Sequence, residues 1–141
     1  MRALNAKGEL TEAAWQAQVV GLALFYGWLV YHPPANRPDA KGRRQDVTPG
    51  YPDLTMVRGP ELIFAELKAE RGRYGPGQET WLEALQEVAA GVAAMDEALD
   101  GAELDVASGT TVDVYTWRPS QFDEVQARLA RGRTIVPSVN R

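Results

Sequence analysis

Ionisable side chains flank two short apolar segments in the middle of the 141-residue chain. Leu54–Val57 and Leu62–Leu67 are rich in strand-forming residues, and the letters RGPE between them are a turn signal. If the two strands pair symmetrically about that turn, Asp53 lies opposite Glu66, with Cβ atoms ~5 Å apart. The spacing therefore predicts two facing carboxylates at the open end of a β-hairpin.

Lys68 lies two residues after Glu66, so it projects from the same face of the strand, about 7 Å further along. Two carboxylates and an ammonium group in a buried hairpin are costly to desolvate unless a partner neutralises them. A divalent cation held by Asp53 and Glu66 beside Lys68 would satisfy all three groups. This geometry requires an even loop, because an odd loop sends the carboxylates to opposite faces. Pro60 suits a two-residue primed turn poorly, and a four-residue loop over Arg58–Glu61 would keep the same register.

An ordered set of motifs in this region resembles the PD-(D/E)XK nuclease superfamily. Pro52-Asp53 is followed by Glu66-Leu67-Lys68 and then by Gln78 at the start of a helix. The longer segments are GYPDL, IFAELKAERG, GQETWLEAL and YTWRPSQFDEV. Within the superfamily the pattern is similar to the VRR-NUC (virus-type replication-repair nuclease) branch. The similarity reaches back to Glu12 and GWLVYH and covers most of the chain except Val88–Thr111.

The resemblance implies a restriction-endonuclease-like core: an α/β fold with a mixed β-sheet flanked by helices, in the order αβββαβα. Glu12 falls on the inward apolar stripe of its predicted helix; from spacing alone it is a first-turn acid favoured by the helix dipole, whereas the resemblance makes it a partner in a metal site. Gln78 lies on the inward face of its predicted helix and would bond a backbone carbonyl of the hairpin in a structural role, or the attacking water or a phosphate in a catalytic one. The implied catalytic residues are Asp53, Glu66, Lys68 and Gln78, and the implied metal ligands are Asp53, Glu66, the carbonyl of Leu67, and Glu12.

The composition limits the kind of metal site. The chain contains no cysteine and a single histidine, His32, so thiolate and multi-histidine sites are excluded. Carboxylate oxygens are the remaining ligands, and they suit Mg²⁺ or Mn²⁺. A lone histidine at a strand end is more often structural than catalytic.

The charge is unevenly distributed, although the net charge is −4. Glu79–Asp105 holds eight acidic residues and no Lys or Arg, which leaves 11 of the 19 acidic residues against all 15 basic ones. Such segregation permits a phosphate-binding face on an acidic protein. The candidate nucleic-acid contacts are Arg43 and Arg44, Arg71 and Arg73, and also His32, because family members place a similar histidine near the scissile phosphate.

The sequence favours one domain over residues 1–141, with a longer acidic segment at about 88–111. The most apolar run, Val19–Tyr31, is too short to span a bilayer and contains Gly21 and Gly27. No secretory signal is evident, and the lack of cysteine fits a reducing compartment. We therefore expect a cytoplasmic protein, bacterial or phage-encoded, with no membrane partner.

The elements that must position these residues follow from periodicity and capping signals. Pro33–Pro52 contains five prolines and is either a solvated loop or a phosphate-contacting flap. Glu70 is expected to face solvent, and the resemblance hints at a role for Arg118. The predicted elements are a helix from a Thr11 cap to about Tyr26, a strand Trp28–His32, the hairpin, a helix from Gly75-Pro76 to about Leu99 with a break at Gly91, an acidic loop Asp100–Thr111, a strand Val112–Trp117, and a helix from a Ser120 cap to Gly132 with Phe122, Val125 and Leu129 inward.

Three functional hypotheses follow. The first is a Mg²⁺-dependent, structure-selective DNA endonuclease, and the resemblance to Holliday-junction resolvases adds a homodimer and branched DNA. The second is a catalytically silent DNA-binding module with the same fold. The third is a structural domain in which Asp53, Lys68 and Glu66 form a satisfied salt-bridge network without metal.

Overall fold

The computed structural model describes residues 2–34, 41, 49–102 and 109–132. In this part of the chain the order of helices and strands is the predicted αβββαβα. The elements are α1 (Glu12–Phe25), β1 (Leu29–Tyr31), β2 (Leu54–Arg58), β3 (Glu61–Leu67), α2 (Gln78–Gly101), β4 (Thr111–Trp117) and α3 (Phe122–Ala130), with a 3₁₀ turn at Pro119–Gln121 before α3. None of the helices described is long and apolar enough to cross a membrane.

The four strands form one mixed sheet in the order β1-β2-β3-β4. The first two strand pairs are antiparallel, and β3 pairs with β4 in parallel. One face of the sheet, which bears Met56 and Ile63, packs with residues of α1 and α3 in the core. On the other face the Tyr51 ring lies between Phe64 and Trp81 of α2, with centroid distances of 6.5 and 5.1 Å. The fold is therefore α/β, with a mixed sheet flanked by helices.

The hairpin has the predicted register and an even loop. Arg58 pairs with Glu61 and Leu54 with Ala65, so the next facing positions are those of Asp53 and Glu66. Of the two even lengths the loop takes the shorter, since both strands continue to the two-residue turn Gly59-Pro60. Gly59 takes φ = 58°, and a type II′ turn needs a positive φ at its first central position alone. Pro60 is thus compatible with the second position.

Two buried tryptophans connect the sheet to the helices on the core face. Trp15 of α1 donates its indole N–H to the carbonyl of Trp117, at 2.9 Å, and Trp28 donates to the carbonyl of Leu129 in α3, also at 2.9 Å. Both rings are buried, so these bonds satisfy donors that would otherwise be costly to desolvate. They also fix α1 and α3 against the ends of the strands.

Several predicted helix boundaries need correction. The cap of α2 is Gly77 in the left-handed region, not Gly75, and the helix runs through Gly91 without a break. Thr11 caps α1 as predicted, accepting the N–H of Ala14. Phe122, predicted to face inward, is 37% exposed because the 3₁₀ turn shifts the start of α3. The acidic loop expected after α2 falls largely at 103–108, outside the described residues.

Gly50 and Gly77 bring two main-chain segments into direct contact. Both have positive φ, 91° and 79°. A Cβ atom on Gly50 would lie 2.2 Å from the carbonyl carbon of Gly77, and one on Gly77 would lie 2.6 Å from the main-chain oxygen of Pro49. The segment before Asp53 therefore crosses the start of α2 at a distance that only two glycines permit.

We predict that Gly50→Ala lowers the free energy of unfolding by roughly 2–5 kcal/mol, because it combines backbone strain with overpacking. Gly59→Ala is the matched control, since Gly59 also has positive φ but a Cβ there would meet nothing within 4 Å. It should cost only ~1–2 kcal/mol. Urea unfolding of both variants checks this, and equal losses would contradict the close crossing.

Candidate functional site

The site is built around Glu66, which is fully buried near the end of β3. Gln78 donates its side-chain N–H to Oε1 of Glu66 at 2.7 Å, and Nζ of Lys68 lies 3.4 Å from the same oxygen. The other oxygen, Oε2, is buried and has no hydrogen-bond partner in the part of the chain that the structure describes. An unpartnered buried carboxylate oxygen is unfavourable unless another group occupies the position beside it.

The surroundings of Glu66 disfavour its negative charge. Burial, followed by the charge of Asp53, raises the pKa of Glu66 to about 8, and Lys68 opposes this rise. At neutral pH the isolated site therefore favours the protonated acid. A cation bound beside Oε2 would reverse that preference, because an opposite charge stabilises the carboxylate.

Asp53 is held against the end of β3. Its Oδ2 accepts the main-chain N–H of Leu67 at 2.8 Å. The structure thus brings Asp53, Glu66 and Lys68 to one end of the hairpin, as the facing register predicts. The potential metal ligands at this end are carboxylate and carbonyl oxygens, which suit a hard divalent cation.

Glu12 lies at the edge of this group. Its side chain is exposed in the first turn of α1, not on the inward stripe where the spacing placed it. Desolvation raises the pKa of Glu12, with a lowering contribution from Lys68 and a raising one from Asp53, so the three side chains sense one another. Among the described residues, however, no three carboxylate or histidine side chains lie close enough to hold one ion.

Gln78 has different partners from those expected. Its Oε1 accepts the N–H of Gly75 at 2.6 Å, which fixes the amide so that its nitrogen points to Glu66. The amide thus bonds the Gly75 N–H and the Glu66 carboxylate, and not a carbonyl of the hairpin. The sequence placed Gln78 on the inward face, but the contact with Glu66 depends on where α2 begins.

The turn after Lys68 is held by the end of β4. Arg118 donates from one guanidinium nitrogen to the carbonyls of Ala69, Glu70 and Gly72, at 2.8, 3.2 and 2.8 Å. Glu70, expected to face solvent, accepts the main-chain N–H of Ser120 at 2.9 Å. In the sequence, Arg118-Pro119 indicated the end of a strand but not the contact between Arg118 and the turn after Lys68.

Tyr74 is a site residue that the sequence did not reveal. Its hydroxyl lies 2.7 Å from the hydroxyl of Thr116, and Nζ of Lys68 lies 5.9 Å from the centroid of its ring. This distance allows a cation–π attraction. Tyr74 thus covers Lys68 on the solvent side, although its own ring is partly exposed.

The candidate nucleic-acid contacts that the structure describes lie on two elements, His32 after β1 and Arg71 and Arg73 in the turn after β3. Arg71 is 72% exposed and pairs with Glu9, at 3.0 Å, while Arg73 is exposed on the same turn. His32 is exposed and contacts Gln16 of α1. Arg43 and Arg44 lie outside the described residues. Arg71 and Arg73 come three and five residues after Lys68 in the chain, so their turn lies next to the buried site.

Comparison of the chain with protein-family models, with curated proteins and with solved structures gives no match. The chain forms a mixed α/β fold with a buried carboxylate, Glu66, beside the half-buried Asp53, one lysine and one amide at the end of a hairpin.

We predict that the stability of the metal-free protein falls as pH rises from about 4.5 to 8. Because the folded-state pKa of Glu66 is raised from its ordinary value of 4.5 to about 8, the ionised carboxylate destabilises the fold across this window and not below it. The slope for one proton is about 1.4 kcal/mol per pH unit. Urea unfolding in EDTA at several pH values measures it.

Glu66→Gln should flatten that slope. Glu83→Gln, which removes a negative charge from the exposed side of α2, is the control for net charge. A wild-type stability that does not fall between these pH values, or a Glu66→Gln variant that keeps the slope, would show that burial does not disfavour the Glu66 charge.

Proposed function

We propose that the protein is a metal-dependent DNA endonuclease that hydrolyses phosphodiester bonds on a restriction-endonuclease-like core. The observation that carries the proposal is the buried Glu66 carboxylate, whose Oε2 has no hydrogen-bond partner in the described part of the chain while Asp53 and Lys68 lie beside it. A divalent cation at this point would satisfy the free oxygen and offset the repulsion between the two carboxylates. The resemblance of the PD…ELK motif order points to the same chemistry.

The residues that would hold Mg²⁺ or Mn²⁺ are Asp53, Glu66 and the main-chain carbonyl of Leu67, with Glu12 next to them. The chemistry that such an ion supplies is activation of water at neutral pH and neutralisation of charge on the phosphate. A further contribution from Glu12 requires its exposed side chain to turn inward.

Lys68 contributes a positive charge at the reacting phosphate. Its ammonium group is buried and lies 3.4 Å from Glu66, so it acts where water does not screen it. In this position it stabilises negative charge that develops on the phosphate oxygens. Gln78 holds Oε1 of Glu66 and leaves Oε2 for the cation, which makes it a positioning residue in this proposal.

The two rival hypotheses differ in what they require of Glu66. A satisfied salt-bridge network needs partners for both carboxylate oxygens, and Oε2 meets no hydrogen-bond partner among the described residues. A silent DNA-binding module needs no ionised Asp53–Glu66 pair at all. In both rivals Glu66 would stay protonated and share its proton with Asp53, so neither requires a cation here, whereas the nuclease proposal does.

The substrate and assembly follow from the resemblance. We propose that the DNA is branched, that Arg71 and Arg73 contact phosphates next to the site, and that the protein cuts as a homodimer in the cytoplasm of a bacterial or phage-infected cell. Arg71 already binds one anionic group, the carboxylate of Glu9, and a phosphate would take its place. Such contacts weaken as salt increases.

The test is a cleavage assay on a four-way junction, a flap and a linear duplex, with Mg²⁺ or with EDTA. We expect cutting with Mg²⁺ alone, and a rate at least ~100-fold lower for both Glu66→Gln and Lys68→Ala, because each removes charge from the reacting centre. Glu83→Gln should cut at the wild-type rate. Circular dichroism confirms that each variant is folded.

The outcomes separate the hypotheses. Binding of DNA without cutting by the wild type would favour the silent module. No binding and no cutting, with both site variants less stable than the wild type, would favour the structural domain. Cutting that persists in folded Glu66→Gln would contradict the assignment of this site.

A further inference from the structure

Three consecutive residues at the end of β4 contact the segment that carries Lys68. The carbonyl of Trp117 accepts the main-chain N–H of Lys68 at 3.0 Å. Thr116 bonds the hydroxyl of Tyr74, and Arg118 bonds three carbonyls between these two points. A strand far along the sequence thus holds both ends and the middle of the segment 68–74.

The Arg118 contact is the strongest of these constraints. A guanidinium group that bonds several main-chain oxygens fixes the direction of each peptide, and bonds to a charged donor are stronger than neutral ones. Because the carbonyls of Ala69, Glu70 and Gly72 all point to Arg118, the turn cannot open without breaking them together. Arg118 is itself only half-buried, and its main-chain N–H is held by Gln121 at 2.9 Å.

The turn 69–72 also determines what surrounds the ammonium group of Lys68. Tyr74 covers the ammonium group only while the turn brings the chain back toward Thr116. If the turn opens, the buried ammonium gains access to water and can leave Glu66. A displacement of about 1 Å at a reacting group lowers a rate by as much as 100-fold.

We propose that Arg118 is a positioning residue, which acts on the reaction through the turn 69–72 by holding Lys68 against Glu66. The effect of Arg118 on the rate rests on the proposed nuclease function. The effect of Arg118 on the position of Lys68 does not depend on any activity. Arg118 does not touch the substrate. The expected signature is a loss in kcat that exceeds any change in KM.

The experiment compares Arg118→Ala with Arg58→Ala. Arg58 is a matched control because its guanidinium also donates to main-chain carbonyls, those of Tyr26 and Leu129 at 3.2 and 2.7 Å, but at the turn end of the hairpin. Both variants should lose stability in urea unfolding. Only Arg118→Ala should alter Lys68.

Two readouts separate the roles. The first is the ¹⁵N–¹H signal of the Lys68 ammonium group in NMR, assigned with Lys68→Arg, which reports whether the group is ordered. We expect that Arg118→Ala broadens or shifts it and that Arg58→Ala leaves it in place. The second is kcat on the junction substrate with Mg²⁺, which should fall ~10–100-fold in Arg118→Ala and stay at the wild-type value in Arg58→Ala.

An unchanged Lys68 signal in Arg118→Ala would overturn the proposal, even if the wild type cuts DNA. An equal loss of the signal in both variants would also overturn it, because the effect would then be one of stability. If the wild type does not cut, the NMR comparison still decides the positioning role while the nuclease proposal fails alone. Arg118→Gln, which keeps one donor, repeats both readouts if the alanine variant does not fold.

Discussion

The proposed metal site rests on one unfavourable feature, the burial of the Glu66 carboxylate with one oxygen that has no hydrogen-bond partner among the described residues. Nearby groups do little to relieve it, because Asp53 adds a second negative charge and Lys68 reaches only the other oxygen. Buried charges are ordinarily paired or bound to a metal. A fold that brings a carboxylate, a lysine and an amide to this group without completing its contacts has the features of a binding site, since strongly perturbed ionisable groups concentrate at functional sites.

Two contacts that involve the main chain constrain the elements around Glu66. The close contact between Gly50 and Gly77 fixes the position of the first turn of α2 relative to the segment before Asp53. Gln78, in that turn, therefore reaches Glu66 with its side-chain amide. On the opposite side, Arg118 fixes the turn after Lys68. Each contact joins segments distant in sequence, so the site exists only in the folded domain.

The sequence predicted what depends on local patterns. Strand alternation and symmetric pairing about Gly59-Pro60 were enough to place Asp53 opposite Glu66, and the αβββαβα order followed from periodicity. The sequence left the loop at two or four residues, and the positive φ of Gly59 removes the conflict with Pro60 that made two residues look unfavourable. The partners of Gln78 and Arg118 were out of reach, because they depend on how α2 and β4 dock, and periodicity carries no information on docking. The nuclease assignment itself stays a prediction.

The most direct measurement of the central claim is calorimetric titration of the metal-free protein with Mn²⁺ and Mg²⁺ at pH 7, in two buffers of different ionisation enthalpy. If a cation binds at Oε2 of Glu66, binding releases close to one proton, since the pKa of this acid is raised to about 8. Affinity should then fall about tenfold per pH unit below that value, and Glu66→Gln should abolish binding. Absence of binding at millimolar metal, or binding without proton release that survives in Glu66→Gln, would contradict the account.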